Sequence, residues 1–245
     1  MSLTDEAIGR IRALIQSGRL QPGSKLPPEQ QLAAELGMSR SPMREAVKAL
    51  AVARVLEVRR GDGTYVTSLA PAVLLEGLGL AVELMHGNTL LELTEVRRLF
   101  EPVATGLAAT RVTPDQLAEI KGHLDAMHAV REDVELLNKH DAAFHRAVVA
   151  ATGNEALTTL IDGISGSTLR ARVWRGMVEA NSADQTLAEH EAIYIALAER
   201  DANLAQAAAL VHISTTERWL RRVHGAGHTT ADPDEDTDAL PAMGT

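Results

Sequence analysis

Fourteen residues, Gly37 to Leu50 (GMSRSPMREAVKAL), constrain this chain more tightly than any other stretch. Ser39 offers a side-chain oxygen to the free amide donors that open a helix. Pro42 falls in the first turn after it, where a missing N–H costs little. Met43, Val47 and Leu50 then recur at i, i+4 and i+7, so one face is apolar and must be buried. The other face gathers Arg40, Ser41, Arg44 and Lys48, at spacings that keep them together. Upstream, Glu29 to Leu36 reads as a short helix with Leu32, Ala33 and Leu36 inward, and Gly37-Met38 makes the turn. The pair is a helix-turn-helix. Its second helix, with three cations near the N-terminus, suits a duplex major groove, where arginine reaches guanine edges and phosphates.

The residues that follow change periodicity. Val55 to Val58 reads as a strand, Arg59-Arg60-Gly61-Asp62-Gly63 as a turn, and Thr64-Tyr65-Val66 as a return strand. A hairpin tipped by Arg59 and Arg60 behind a basic helix is placed as a wing, able to meet the DNA backbone or minor groove.

Three runs in this region resemble the GntR family of bacterial transcription regulators: Pro22 to Glu29, Leu36 to Ala46, and Gly61 to Val66. The resemblance implies that Arg40 and Arg44 are the principal base and phosphate contacts. It also implies that Ser39 and Ser41 bind phosphate and that Arg60 acts from the wing. The chain departs from the family's habit at Gln30, where arginine is usual, at Arg54, where glycine is usual, and at Asp62 in the wing.

Charge distribution agrees with a two-part chain. The net charge of −9 would by itself argue against nucleic acid. Residues 1–66, however, hold 10 Lys/Arg against 7 Asp/Glu, whereas residues 67–245 hold 14 against 26. A basic head on an acidic body fits a DNA-binding module carried by a domain with another task. With no cysteine there is no disulfide or thiolate chemistry. No apolar run approaches the roughly 20 residues needed to cross a bilayer, and no signal-peptide core opens the chain. A cytoplasmic protein without membrane contact is expected.

Aromatics are 2% of the chain, and the abundance of Ala and Leu favours helix on helix. The fold expected is mainly α: an N-terminal winged helix-turn-helix at 1–67, a linker at 68–71, and an all-α bundle of six or seven helices at 72–224. An acidic, disordered tail is expected at 225–245. The first helix spans residues 4–17 with Thr4 as its cap. In the bundle, Leu74 to Met85 reads as a helix, and Pro102 is expected to kink or divide Leu90 to Thr110. Thr113-Pro114-Asp115 starts the next helix, and Glu132 to Ala151 follows. Gly163 and Gly166 are expected to break Glu155 to Met177. Asp184 to Arg200 and Asn203 to Val223 complete the set.

Asp141 and His145 lie four apart and so share a helix face. His190 and His212 sit in later helical patterns. One carboxylate and three imidazoles converging in a bundle would hold a divalent ion, although nine histidines in the chain leave the spacing a weak signal alone. The runs Leu91 to Arg97, Asp141 to His145, Glu189 to Ile193 and His212-Ile213 resemble the FadR-type effector domain across residues 72–223. In its metal-dependent members, the positions matching Asp141, His145, His190 and His212 bind one ion at the base of a ligand cavity. The resemblance implies one divalent metal per subunit, zinc first, with nickel or manganese as alternatives. It places Arg97 toward a small organic acid, against the plainer reading of an ion pair with Glu101. Trp174, with its neighbours Arg172 and Arg175, is a weaker candidate for the same cavity.

The expectation is a homodimeric regulator, a repressor, that binds a palindromic double-stranded operator and leaves it when the acid binds. The rival readings are a helical metalloenzyme and an activator whose metal is structural.

Overall fold

The computed structural model describes residues 2–77, 89–179 and 181–228. Helix α1 (Leu3–Gln16) opens the head, capped by Ser2 in a reciprocal capping box with Asp5, two residues before the cap expected at Thr4. Helices α2 (Glu29–Glu35) and α3 (Arg40–Val52) form the helix-turn-helix. Gly37 takes the left-handed turn at φ 61°. Ser39 occupies the N-cap position of α3, yet its hydroxyl makes no capping bond.

Strands β1 (Leu56–Arg59) and β2 (Gly63–Val66) pair antiparallel, with Leu56 opposite Val66 and Arg59 opposite Gly63. The turn needs Gly61 at φ 76°, and a Cβ on Gly63 would stand 2.6 Å from Lys25 Cε. One core serves all five elements: Ile11, Leu32, Met43, Val47, Leu50, Leu56 and Val66 are buried together. Each such aliphatic side chain contributes about 1.5–3 kcal/mol by leaving water.

Beyond the short helix α4 (Pro71–Leu74) come α5 (Thr89–Arg111), α6 (Pro114–Ala129), α7 (Val134–Ala150), α8 (Glu155–Val178), α9 (Ser182–Ala198) and α10 (Ala202–His228). Most of the helix expected at Leu74 to Met85 lies outside the described residues. The capping box of Thr113 with Gln116, ahead of Pro114, is present as expected.

Three further expectations fail. Pro102 sits inside α5 and does not divide it. Gly163 and Gly166 do not interrupt α8. The last helix runs to His228, past the point where the tail was expected to begin. In the first two cases tertiary packing wins: a glycine costs a helix about 1 kcal/mol and a proline about 3, while α5 supplies Ala108 and Ala109 to the bundle's main core and α8 buries Ile161 against Ala104 and Val149. The main core joins Ala108, Ile120, Leu124, Met127, Phe144, Leu187, Ile193, Leu197 and Ala209. Among the described residues, no helix is long and apolar enough to cross a membrane.

Candidate metal centre and nucleic-acid face

On the head, Ser39, Arg40, Ser41, Arg44 and Lys48 are all exposed along one side of α3, and Arg60 is exposed at the wing tip. Their opposite neighbours, Met43, Ala46, Val47 and Leu50, are buried, so the cations cannot turn inward. Glu45 tempers the face, lying 3.7 Å from Arg44 and 3.1 Å from Lys48. Asp62 is spoken for within the head, accepting from Lys25 Nζ at 3.1 Å and from Tyr65 Oη at 2.9 Å. Arg59 pairs with Glu57 and lies over the Tyr65 ring, leaving Arg60 as the outward arginine of the hairpin. Arg54 adopts φ 57°, which explains why glycine suits that position.

In the bundle, Asp141 and His145 on α7, His190 on α9 and His212 on α10 offer one ligand atom each within 4.8 Å of one another, and all four are buried. Each imidazole is aimed by its other nitrogen. His190 Nδ1 lies 2.7 Å from the Thr186 carbonyl, which can only accept, so Nδ1 carries the proton and Nε2 a lone pair. His212 Nδ1 donates in the same way to Glu189 Oε2 at 2.9 Å. His145 Nδ1 faces Glu101 Oε2 at 3.4 Å. With those tautomers, the Nε2 lone pairs of His145 and His212 meet at 3.1 Å. His190 Nε2 lies 2.9 Å from Asp141 Oδ1 yet makes no hydrogen bond.

Three lone pairs and a carboxylate oxygen pointed at one spot repel one another unless a cation lies among them. The donor set therefore fits a divalent ion, and the carbonyl and carboxylates behind the rings are what such ligands need to stay oriented. Burial keeps the imidazoles neutral, as ligands must be. His145 is pushed down to about 4 by burial, against the pull of Glu101. Burial, and then the neighbouring imidazoles, hold His190 and His212 well below the usual histidine value.

Arg97 is 3% exposed and engaged by Glu101, with Nε at 2.5 Å from Oε1, and by Thr168 Oγ1 at 3.1 Å. The ion pair of Arg97 with Glu101 is thus present. Burial disfavours the Glu101 carboxylate, but Arg97, with His145 and Arg172 beside it, outweighs burial and holds the group down to about 2. Arg97 thereby steadies the carboxylate beside His145.

A small cavity of about 40 Å³ opens next to Asp141 and His212, and its wall includes Arg172, Arg175, Asn138 and Thr216. Arg97 is absent from that wall. Arg172 donates through Nη1 to Asp141 Oδ2, while its buried Nε has no acceptor. Burial, with Arg97 nearby, pushes Arg172 down to about 9, so it stays charged at neutral pH. Trp174 does not line this cavity: it is 45% exposed and packs edge-on against Trp219. Sequence reasoning gave Glu189 no role, knew Glu101 only as a partner for Arg97, and named Arg172 and Arg175 only as neighbours of Trp174, whereas these two line the cavity and Trp174 does not. Only the spacing of four between Arg97 and Glu101 was a usable signal.

Comparison with known proteins agrees with both halves. Residues 3–66 match the model described as bacterial regulatory proteins, gntR family, and residues 92–215 match the FCD domain. The chain is 34% identical to the HTH-type transcriptional regulator LutR of Bacillus subtilis over 84% of this chain and 96% of that one. It is also 34% identical to the galactonate operon transcriptional repressor of Escherichia coli, over 91% and 99%. A protein named for regulating the L-lactate dehydrogenase operon of Escherichia coli is 29% identical over 90% and 87%. Among solved structures, Streptococcus agalactiae GntR superposes with a TM-score of 0.68 at 30% identity, over 88% of this chain and 99% of that one. The chain therefore belongs to the GntR family, in the branch that carries an FCD domain behind the DNA-binding head, and it is a ligand-responsive transcription regulator, not an enzyme.

Proposed function

We propose that this regulator is a cytoplasmic homodimeric repressor whose operator affinity is set by a small organic acid bound beside a metal ion in the FCD domain. Asp141, His145, His190 and His212 hold the ion, zinc before nickel or manganese. The observation that carries this reading is the convergence of three lone-pair nitrogens and one carboxylate oxygen in a buried pit. When bound, the metal supplies a Lewis-acidic point that favours an anionic, oxygen-bearing ligand.

The chain's own residues do the rest. Arg172 and Arg175 in the cavity wall receive a carboxylate, for which Arg172 Nε has an unused donor. Asn138 and Thr216 suit hydroxyl groups. Arg97 acts one step back, through Glu101 on His145, and so positions the site. The matching relatives named for galactonate and for L-lactate both concern 2-hydroxy acids, and a cavity this small favours the shorter members of that class. In the head, Arg40, Arg44 and Lys48 would meet base edges and phosphates, Ser39 and Ser41 phosphates, and Arg60 the backbone or minor groove. Two heads on a dimer match two half-sites of a palindrome. Differential binding of the acid to two arrangements of the bundle is what would release the operator.

Native mass spectrometry of the untagged protein tests the first step. One divalent ion per subunit is expected, lost in His190→Ala. Full metal occupancy in that variant would refute the ligand set. Titration of an operator complex with 2-hydroxy acids then tests release, and operator binding indifferent to every acid would leave the metal a structural role.

A further inference from the structure

A second hollow, about 520 Å³, opens outside the inner cavity between the end of α8, Gln185 of α9 and the stretch of α10 from Thr215 to Arg222. Its wall sets Arg175, Arg218, Arg221 and Arg222 against the single carboxylate of Glu179. Arg221 is already paired with Glu217 at 2.7 Å. Arg218 makes long contacts to the Ser214 carbonyl and the Thr215 hydroxyl, at 3.3 and 3.4 Å, and acts on the Glu189 carboxylate through space.

Arg175 belongs to both walls, facing the inner cavity and this outer groove. Glu179 spans the boundary: Oε2 accepts from Arg175 Nε at 2.5 Å, and Oε1 from Arg222 Nη2 at 3.1 Å. The two guanidiniums differ sharply in setting, since the Arg175 side chain is 6% exposed and that of Arg222 70%. A buried guanidinium demands an acceptor. The exposed half of the bridge contributes little. Glu179 is thus a carboxylate that another carboxylate can replace at small cost, in a groove whose surplus positive charge concentrates anions.

We propose that this groove is an anion-binding entrance to the inner cavity. Glu179 holds Arg175 until the carboxylate of an incoming small acid takes its place, and Arg218 and Arg222 gather that acid from solution. The inference rests on the reading of the effector as an acid. It also gives the groove a line to the metal pit. Thr215, in its wall, donates to Glu189 Oε1 at 2.8 Å, and the other oxygen of Glu189 orients His212.

The test is rescue by acetate in the full-length protein. Glu179→Ala removes the internal carboxylate and leaves room for an external one. Potassium acetate at about ten times its Kd should raise the Tm of this variant by about 3–6 °C beyond its effect on the native chain. Potassium chloride at equal ionic strength should not. Adding Arg218→Gln and Arg222→Gln to Glu179→Ala should weaken the acetate response. Should Glu179→Ala fold poorly, Glu179→Gln keeps the shape without the charge and should still respond more than the native chain. Equal shifts in native and variant proteins, or acetate indistinguishable from chloride, would overturn the proposal. The readout involves neither metal nor operator, so an acid-insensitive repressor would sink the sensor reading and leave this result standing.

Discussion

Acidification of the metal-free protein should collapse its stability over a narrow window. His145, His190 and His212 are buried and neutral when folded. When unfolded each takes a proton below its ordinary value of about 6.5. Below that pH the unfolded chain binds more protons than the folded one, so stability falls as pH falls. For His145 the loss runs from about 6.5 down to its folded value of about 4 and reaches about 3 kcal/mol. His190 and His212 act in the same direction. While all three contribute, the slope approaches about 4 kcal/mol per pH unit, at about 1.4 for each. Glu101, held down to about 2, adds its own loss only as pH falls below its ordinary value of about 4.5, and that loss runs down to about 2.

Set against a typical total of about 5–15 kcal/mol, that slope should unfold the metal-free chain near pH 5. The assay is urea unfolding of chelator-treated protein at half-unit steps from pH 7.5 to 5. Zinc at about a thousand times its Kd should add about 4 kcal/mol near neutrality, an advantage that shrinks as protons compete for the ligands. His212→Gln should lower the metal-free slope by about a third. A urea midpoint that is flat from pH 7 to 5 without metal would refute the picture of three buried neutral imidazoles.

Arg44→Ala should weaken operator binding by about 5–150-fold, the range of a base-reading arginine, with an unchanged far-ultraviolet circular dichroism spectrum; unaltered affinity in a gel-shift titration would remove Arg44 from the interface. Glu101→Gln strips Arg97 of its partner in a buried site, so a loss of about 3–5 kcal/mol in urea unfolding is expected. Metal affinity should fall about 10–100-fold, and unchanged zinc affinity by competition titration would show that the 3.4 Å approach to His145 does not orient the ring. Gly106→Ala would place a Cβ 2.9 Å from the Ala202 carbonyl oxygen, where α5 meets α10. A loss of about 1–3 kcal/mol from overpacking should outweigh the roughly 1 kcal/mol gain in helix propensity, and a stabilised variant would contradict the close approach.

What the sequence displayed, and what it hid, follows from the range of the forces involved. The recognition helix was legible because its signals are local: Pro42 in the first turn, apolar Met43, Val47 and Leu50 on one side, Arg40 and Arg44 on the other. The wing was legible for the same reason, through Gly61 and Gly63. Asp141 and His145 announced a shared face by spacing alone, but their convergence with His190 and His212 depends on how α7, α9 and α10 pack, and that came only through family resemblance. The breaks expected at Gly163 and Gly166 went wrong because a local cost of about 1 kcal/mol each was weighed without the burial that α8 gains along its length.

The least legible feature matters most for the site. Nothing in the order of residues ties Glu101 to His145, Glu189 to His212 or Arg172 to Asp141, because each pair comes from different helices and is matched only by their register. Yet these pairs decide the chemistry. An imidazole with its Nδ1 proton fixed on a carboxylate or carbonyl presents a lone pair at Nε2, and an imidazole without that partner is free to carry its proton at Nε2 instead. The four ligands alone would be an arrangement of residue types; Glu101, Glu189 and the Thr186 carbonyl make it a site with defined donors. By the same logic, Arg97 is most useful as the cation that keeps Glu101 ionised at the bottom of the bundle. A ligand carboxylate that took Arg97 for itself would have to strip Glu101 of its counterion, at a cost that binding at Arg172 and Arg175 avoids.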